Sequence, residues 1–368
     1  MAQKKLNVGI IGCGDIANNK HMPALQELSQ LCKMTSFCDI KKSRAVKAAE
    51  DYGSKNSKVY KDYRQLLKDD SIDLVHVLTP NDSHSPITVT ALQAGKHVMC
   101  EKPMAHNKEA AGKMMETWEQ SDQKFTIGYQ FRFREDVQQL KRDLKANKLG
   151  EIYCAKAHAL RRKAVPAWGV FLDKDQQGGG PLIDIGTHSL DLTLWLMDNY
   201  QPQSVSGSVF NKMTDQTEGN LFGPWQPSDY EVEDSAFGFI KMKNGALIFL
   251  ESAWVLNTRD PKEASATFYG TKAGAEIRWS LSEDKSELIY NMIEEGKYKE
   301  IKESSIKKMG PGEDVKNSLG YKEAKSWLEA IIDDREPVVK PEEAYTVTKI
   351  LDAIYKSAAE DKEIYFSN

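Results

Sequence analysis

Asp184, His188 and Asp191 fall at i, i+4 and i+7 of a segment otherwise built from Leu182, Ile183, Ile185, Leu190, Leu192, Leu194 and Leu196. Three polar groups therefore share one stripe of an apolar helix expected over 181–197, with Pro181 at its first position after three glycines. Such a stripe either faces solvent or lines a site. In a site the imidazole is suited to proton transfer, because its unperturbed pKa of about 6.5 lies near neutrality. Asp and His at this spacing also suit zinc, but the sequence offers no third ligand, so no metal is expected. A second reactive group is Lys102 in Glu101-Lys102-Pro103. Pro103 keeps Lys102 out of helical geometry, so the backbone aims its ammonium, which can lower the pKa of a nearby hydroxyl.

These groups need scaffolds, and the chain supplies two kinds. Residues 6–129 alternate strands (6–11, 34–38, 72–78, 97–100, 125–128) with helices at 44–52, 86–94 and 108–120. Ser43 and Asn107 are the expected caps, and Gly53 and Gly95 the stops. This rhythm predicts a doubly wound parallel sheet, with ligand loops at the carboxyl ends of the strands. Gly12-Cys13-Gly14-Asp15-Ile16-Ala17 follows the first strand and opens a helix. Its glycines permit a tight turn on which a pyrophosphate can rest. Asp39 ends the second strand, placed to bond both ribose hydroxyls of NAD and to repel the 2′-phosphate of NADP. Lys41, Lys42 and Arg44 read first as the charged start of a surface helix, although they can soften that preference, and NADP stays open. Thr79-Pro80-Asn81 with His84, and Glu101-Lys102, end the third and fourth strands and complete the expected cofactor set of Gly12, Gly14, Asp15, Ile16 and Asp39.

From residue 130 the pattern changes to a helix at 135–147, a strand at 151–160, the helix bearing Asp184 and His188, and strands at 204–210, 235–242, 246–254, 265–269 and 275–279. Lys243-Asn244-Gly245 is a hairpin signal, and helices at 321–333 and 341–359 close the sequence. Two domains are expected: 1–129, dinucleotide-binding, and 130–368, an α+β domain with a large, mostly antiparallel open sheet. An exposed sheet face of that size calls for cover, so a homo-oligomer is expected.

The 368 residues are ample for two cores, and a net charge of −4 leaves no basic footprint for nucleic acid. No apolar run approaches the roughly 20 residues of a membrane span, and the first five residues carry no signal-peptide core. Five cysteines without a Cys-x-x-Cys pair point to reducing cytoplasm, with neither a disulfide framework nor structural zinc.

The Gly12–Ala17 turn, Thr79-Pro80-Asn81, His97-Val98-Met99-Cys100-Glu101-Lys102-Pro103 and the run from Gly179 to His188 together resemble the glucose–fructose oxidoreductase / inositol dehydrogenase / rhizopine catabolism (Gfo/Idh/MocA) family, over essentially the whole chain. Ala17 in place of a third glycine, and Gln130 where many relatives carry asparagine, are minor departures. The resemblance implies a Rossmann domain, a C-terminal α/β domain that often makes dimers or tetramers, and NAD-dependent oxidation of a secondary hydroxyl of a sugar, inositol or related polyol. Lys102 matches the motif lysine, and Asp184 and His188 match the family's Asp-x-x-x-His pair. His188 is then the general base, Lys102 steadies the developing alkoxide, and Asp184 binds an adjacent hydroxyl or orients the imidazole. Arg161 and Trp168, in a cationic and aromatic loop that otherwise reads as ordinary exposed surface, are expected at the substrate, with Gln130 a weaker candidate. The alternatives are a sugar phosphate, nucleotide sugar, anhydrosugar or dihydrodiol substrate, transient oxidation in a glycosidase, or a non-catalytic NAD-binding sensor. The joint presence of Lys102, Asp184 and His188 argues against the sensor.

Overall fold

The computed structural model describes residues 5–280, 285–305 and 314–367, so most of the N-terminal segment read above lies outside the described residues. The chain forms two compact units, one containing residues through Gln130 and the segment up to Tyr345 that follows the second sheet, the other beginning at Phe131 and taking up again at Thr346. The division therefore falls between Gln130 and Phe131, and the segment ending at Tyr345 belongs with the first unit.

In the first unit β1 (Leu6–Ile11), β2 (Cys32–Cys38), β3 (Lys58–Tyr60), β4 (Leu74–Val77), β5 (His97–Cys100) and β6 (Phe125–Ile127) form one sheet in the order β3-β2-β1-β4-β5-β6. Every pair is parallel. Strands covered on both faces read as continuous apolar runs, as β4 does, all four of its residues being buried. The strand order reverses between β1 and β4, where a parallel sheet of this kind opens a crevice for ligands.

Local chemistry moved several boundaries. β3 is three residues long and half exposed, too short to register in an apolar pattern. The helix after β2 begins at Lys42, and Ser43 does not cap it. The helix after β4 starts at Asn81, five residues before its expected start, and holds Pro86 inside it. Asn107 does cap its helix, its side chain accepting the Ala110 N–H at 2.8 Å. Helix Leu319–Ile332 places Ala324, Trp327 and Leu328 in the same core as Val8, Ile10, Phe37 and Leu74.

In the second unit β7 (Ile152–Leu160), β8 (Pro202–Phe210), β9 (Ser235–Met242), β10 (Leu247–Ala253), β11 (Lys262–Gly270), β12 (Ala273–Ser280), β13 (Lys285–Glu294), β14 (Lys297–Ser305) and β15 (Ile364–Tyr365) form a nine-stranded sheet, β14-β13-β12-β11-β7-β10-β9-β8-β15. It is antiparallel except where β7 meets β10. The hairpin β13–β14 was not foreseen, because β14 is largely charged and exposed and β13 mixes polar and apolar residues along its length. Helix Thr187–Met197 packs on β7 and β11, while Phe237, Phe239 and Phe249 line a surface hollow over β8 to β10. No helix among the described residues is long and apolar enough to cross a membrane.

Candidate active site

The first unit gathers the expected cofactor residues at the carboxyl ends of its strands. Gly12 has φ +93°, and a Cβ there would stand 2.3 Å from the Leu78 carbonyl oxygen, so only glycine fits. Gly14 has nothing within 4 Å of a Cβ, which leaves the backbone open to a close-lying ligand. Asp15 and Ile16 are exposed at the start of the helix that follows. Asp39 is held between two loops: Oδ2 accepts the Cys13 N–H at 2.9 Å and Oδ1 the Lys41 N–H at 2.7 Å. A carboxylate retains further lone pairs for ribose hydroxyls. Beyond β4, Pro80 is exposed, Asn81 is buried, and Thr79 Oγ1 is buried with no hydrogen-bond partner among the described residues. An open backbone turn, a fixed acid and an orphaned hydroxyl at one sheet end fit a dinucleotide. Gly12, Gly14, Asp39 and Thr79 are the residues that would hold it.

Two expected cofactor residues have other duties. His84 is fully buried and joins two loops, Nδ1 lying 2.8 Å from the Pro103 oxygen and Nε2 2.9 Å from the Thr79 oxygen. It therefore ties these two loops together, and burial holds its imidazole pKa low. Glu101 points inward to Lys20 and His21, and its Oε2 accepts the N–H of Lys102 at 3.1 Å. Lys102 itself is half-buried, followed by a cis peptide to Pro103. Gln130 ends the first stretch of this unit and opens a short 3-10 turn. Sequence reading assigned nothing to Lys20, His21 or His76. The only clue to them was a His in the first helix.

In the second unit the segment carrying Asp184 and His188 is not one α-helix. Leu182–Gly186 is a single π turn, and the α-helix runs Thr187–Met197. Glu233, from the loop before β9, caps its start, accepting the N–H groups of Gly180 (2.8 Å) and Leu182 (3.1 Å). Tyr355 donates its hydroxyl to the same carboxylate at 2.7 Å. Burial pushes the Glu233 pKa up and these bonds pull it back, the upward shift prevailing. The Trp254 indole donates Nε1–H to Asp184 Oδ2 at 3.0 Å. The Phe131 ring meets the His188 ring edge-on at 4.7 Å between centroids.

Exposure separates the stripe. Asp191, 1% exposed, is locked to Arg132 by bonds of 3.0 and 2.6 Å, whereas Asp184 and His188 keep 7% and 9% of their surface. Asp191 is thus a packing ion pair, and the other two retain surface for a ligand. Arg161 forks onto Glu263 (2.9 and 2.5 Å), and the nearby charge of Asp184 helps keep it protonated despite its burial. Trp168 is exposed, edge-on to Phe171 and Phe222, and Phe171 in turn meets Trp254. Asp184, His188, Arg161 and Trp168 thus belong to one connected region of this unit. Trp254, Glu233 and Tyr355 escaped sequence reading, since they lie 49 or more residues from the groups they serve.

Comparison with known proteins gives a consistent picture. Residues 6–129 match the model of an oxidoreductase family with an NAD-binding Rossmann fold. Residues 141–366 match the C-terminal alpha/beta domain of that family. The chain is 40% identical over 277 residues to D-glucoside 3-dehydrogenase of Escherichia coli, covering 75% of this chain and 78% of that one. It is 31% identical over 211 residues to glucose-6-phosphate 3-dehydrogenase of Bacillus subtilis, 56% of this chain and 57% of that one. The solved structure of levoglucosan dehydrogenase in complex with NADH superposes with TM-score 0.83 at 22% identity, covering 98% and 99% of the two chains, a likeness of fold.

Proposed function

The chain belongs to the Gfo/Idh/MocA oxidoreductase family and is an NAD-binding oxidoreductase acting on sugar hydroxyl groups, and on that premise we propose that it oxidises the C3 hydroxyl of a glucoside. The observation that carries the reading is Asp184, aimed by Trp254 one turn before His188, on a segment capped by Glu233. The activities of the two sequence relatives, both 3-dehydrogenases, support the choice of C3.

The residues divide the work by their chemistry. His188 accepts the hydroxyl proton as the carbinol C–H bond gives up its hydride and the carbon becomes a ketone. NAD, when bound, supplies the acceptor for that hydride. Lys102 places a positive charge by the oxygen while it sheds its proton, and Asp184 accepts a hydrogen bond from the neighbouring ring hydroxyl. Trp168 offers the sugar an aromatic face, and Arg161, its charge balanced by Glu263, forms part of the wall of the site. A second copy of the chain covers the open sheet face bearing Phe237, Phe239 and Phe249.

The test is reduction of NAD with methyl glucosides, glucose, glucose 6-phosphate, levoglucosan and myo-inositol, followed by NMR location of the new carbonyl. A glucoside should give a 3-keto product. Substituting His188→Ala should lower kcat by about 10²- to 10⁴-fold while NADH still binds. Wild-type turnover in that variant removes His188 as the base, and a carbonyl at another carbon removes the C3 assignment.

A further inference from the structure

A buried cluster lies directly beneath the Glu101-Lys102-Pro103 turn. Lys20 Nζ stands 2.7 Å from Glu101 Oε1 and 2.8 Å from Glu323 Oε2, all three side chains being less than a tenth exposed. His21 Nε2 lies 2.7 Å from the same Glu101 oxygen, and the other Glu101 oxygen accepts the Lys102 N–H. A carboxylate only accepts, so His21 carries its proton on Nε2 and offers a bare Nδ1 to His76 Nδ1–H at 3.1 Å. His76 Nε2, bare in that tautomer, indeed has no hydrogen-bond partner among the described residues. Glu323 arrives on the helix Leu319–Ile332, and Gly320, one turn earlier, presses on Lys20: a Cβ there would come within 2.8 Å of its Cγ.

We propose that Glu323 is a positioning residue for the Glu101-Lys102-Pro103 turn, acting through Lys20, which it shares with Glu101. The inference rests on the role given to Lys102 above. The charged and titratable groups facing Glu323 and its partner are Lys20 and His21 from the first helix, His76 from β4 and Glu101 after β5. Burial keeps both imidazoles neutral, and Lys20 and His21 outweigh burial to hold Glu101 ionised. One ammonium thus serves two carboxylates. Burial first, and then the Glu101 charge, push the Glu323 pKa up to about 7. While Glu323 holds a proton, the whole Lys20 charge grips Glu101 and the Lys102 backbone is fixed. Once it ionises, the two acids compete for Lys20 and the grip on the turn slackens.

The test compares full-length wild type with Glu323→Gln, a mimic of the protonated acid, from mildly acidic to mildly alkaline pH. NADH affinity by fluorescence titration, kcat, KM and the thermal midpoint are read in parallel. In wild type, NADH affinity should fall about fivefold or more as pH rises through about 7, and the Gln variant should keep its low-pH affinity throughout. The stability sign is fixed by linkage: an acid raised from 4.5 to about 7 stabilises the fold fully below 4.5 and loses that contribution as pH climbs to about 7. The thermal midpoint of Gln should therefore rise relative to wild type over that window. Gly320→Ala, which displaces Lys20 without altering a charge, should weaken NADH binding at every pH and move the inflection upward, because Glu323 loses part of the ammonium that lowers its pKa. An inflection that persists in Glu323→Gln overturns the proposal. So does a change confined to the thermal midpoint, which would make Glu323 merely structural. If wild type oxidises no sugar, the functional reading fails while the NADH titration still decides this one.

Discussion

Asp184 is aimed by an indole. Its Oδ2 takes a hydrogen bond from Trp254, a side chain with no exposed surface, so the carboxylate is held in one orientation one turn before His188. A hydrogen bond to a charged group contributes about 1.5–3 kcal/mol. Replacing Trp254→Phe keeps an aromatic ring and removes the donor together with the pyrrole ring that carries it. It should lower kcat by about tenfold or more and leave NADH affinity unchanged, as steady-state kinetics and fluorescence titration would record; unchanged kcat would show that the indole does not orient the acid. At this scale sequence reading reached groups whose chemistry is written in their own side chains, such as Asp39, Lys102, Asp184 and His188. It missed the groups that hold them. Trp254 stands 70 positions from Asp184, and Glu101 lies 81 from Lys20 and 222 from Glu323. Nothing local in a sequence marks such a partner, because only the fold makes them neighbours.

The start of the Asp184–His188 segment is organised by a carboxylate from another element. Its backbone N–H groups have no intrahelical acceptor, and Glu233 supplies one to Gly180 and another to Leu182. Gly180 is required there, since a Cβ would stand 2.3 Å from the Glu233 carbonyl oxygen. Glu233→Ala leaves two buried donors and the Tyr355 hydroxyl unsatisfied and should cost about 2–4 kcal/mol. Denaturant titration would measure that loss, and it should be accompanied by a fall in kcat. The periodicity of 181–197 identified a helix but not its opening π turn, because three glycines and a proline fit several tight geometries and Glu233 selects one. The same limit explains Pro86. A proline signals a helix start, whereas tertiary packing here carried the helix through it from Asn81. Parallel strands were legible as apolar runs, but the β13–β14 hairpin, charged on its surface, gave no periodic signal.

For the whole molecule, the aromatic face over β8 to β10 bears on assembly. Phe239 and Phe249 stack edge-on at 5.2 Å, and Phe249 is more than a third exposed. If a second copy covers this face, Phe249→Lys should shift the mass measured by light scattering to a smaller species. The folded monomer should persist, and an unchanged mass would place the contact elsewhere. The two units differ in how their sequence is assembled. The first draws on the chain's beginning and on helix Leu319–Ile332, whose Trp327 and Leu328 complete the core around β1 and β2. That arrangement sets an order of events during synthesis. A ribosome adding ~5–20 residues per second reaches that helix roughly 10–40 s after finishing β6. Through that interval the nascent dinucleotide-binding sheet waits with one side of its core uncovered. Its completion waits for residues translated after the second sheet although its strands emerge first, so a chaperone that holds nascent chains would have its longest engagement with those strands.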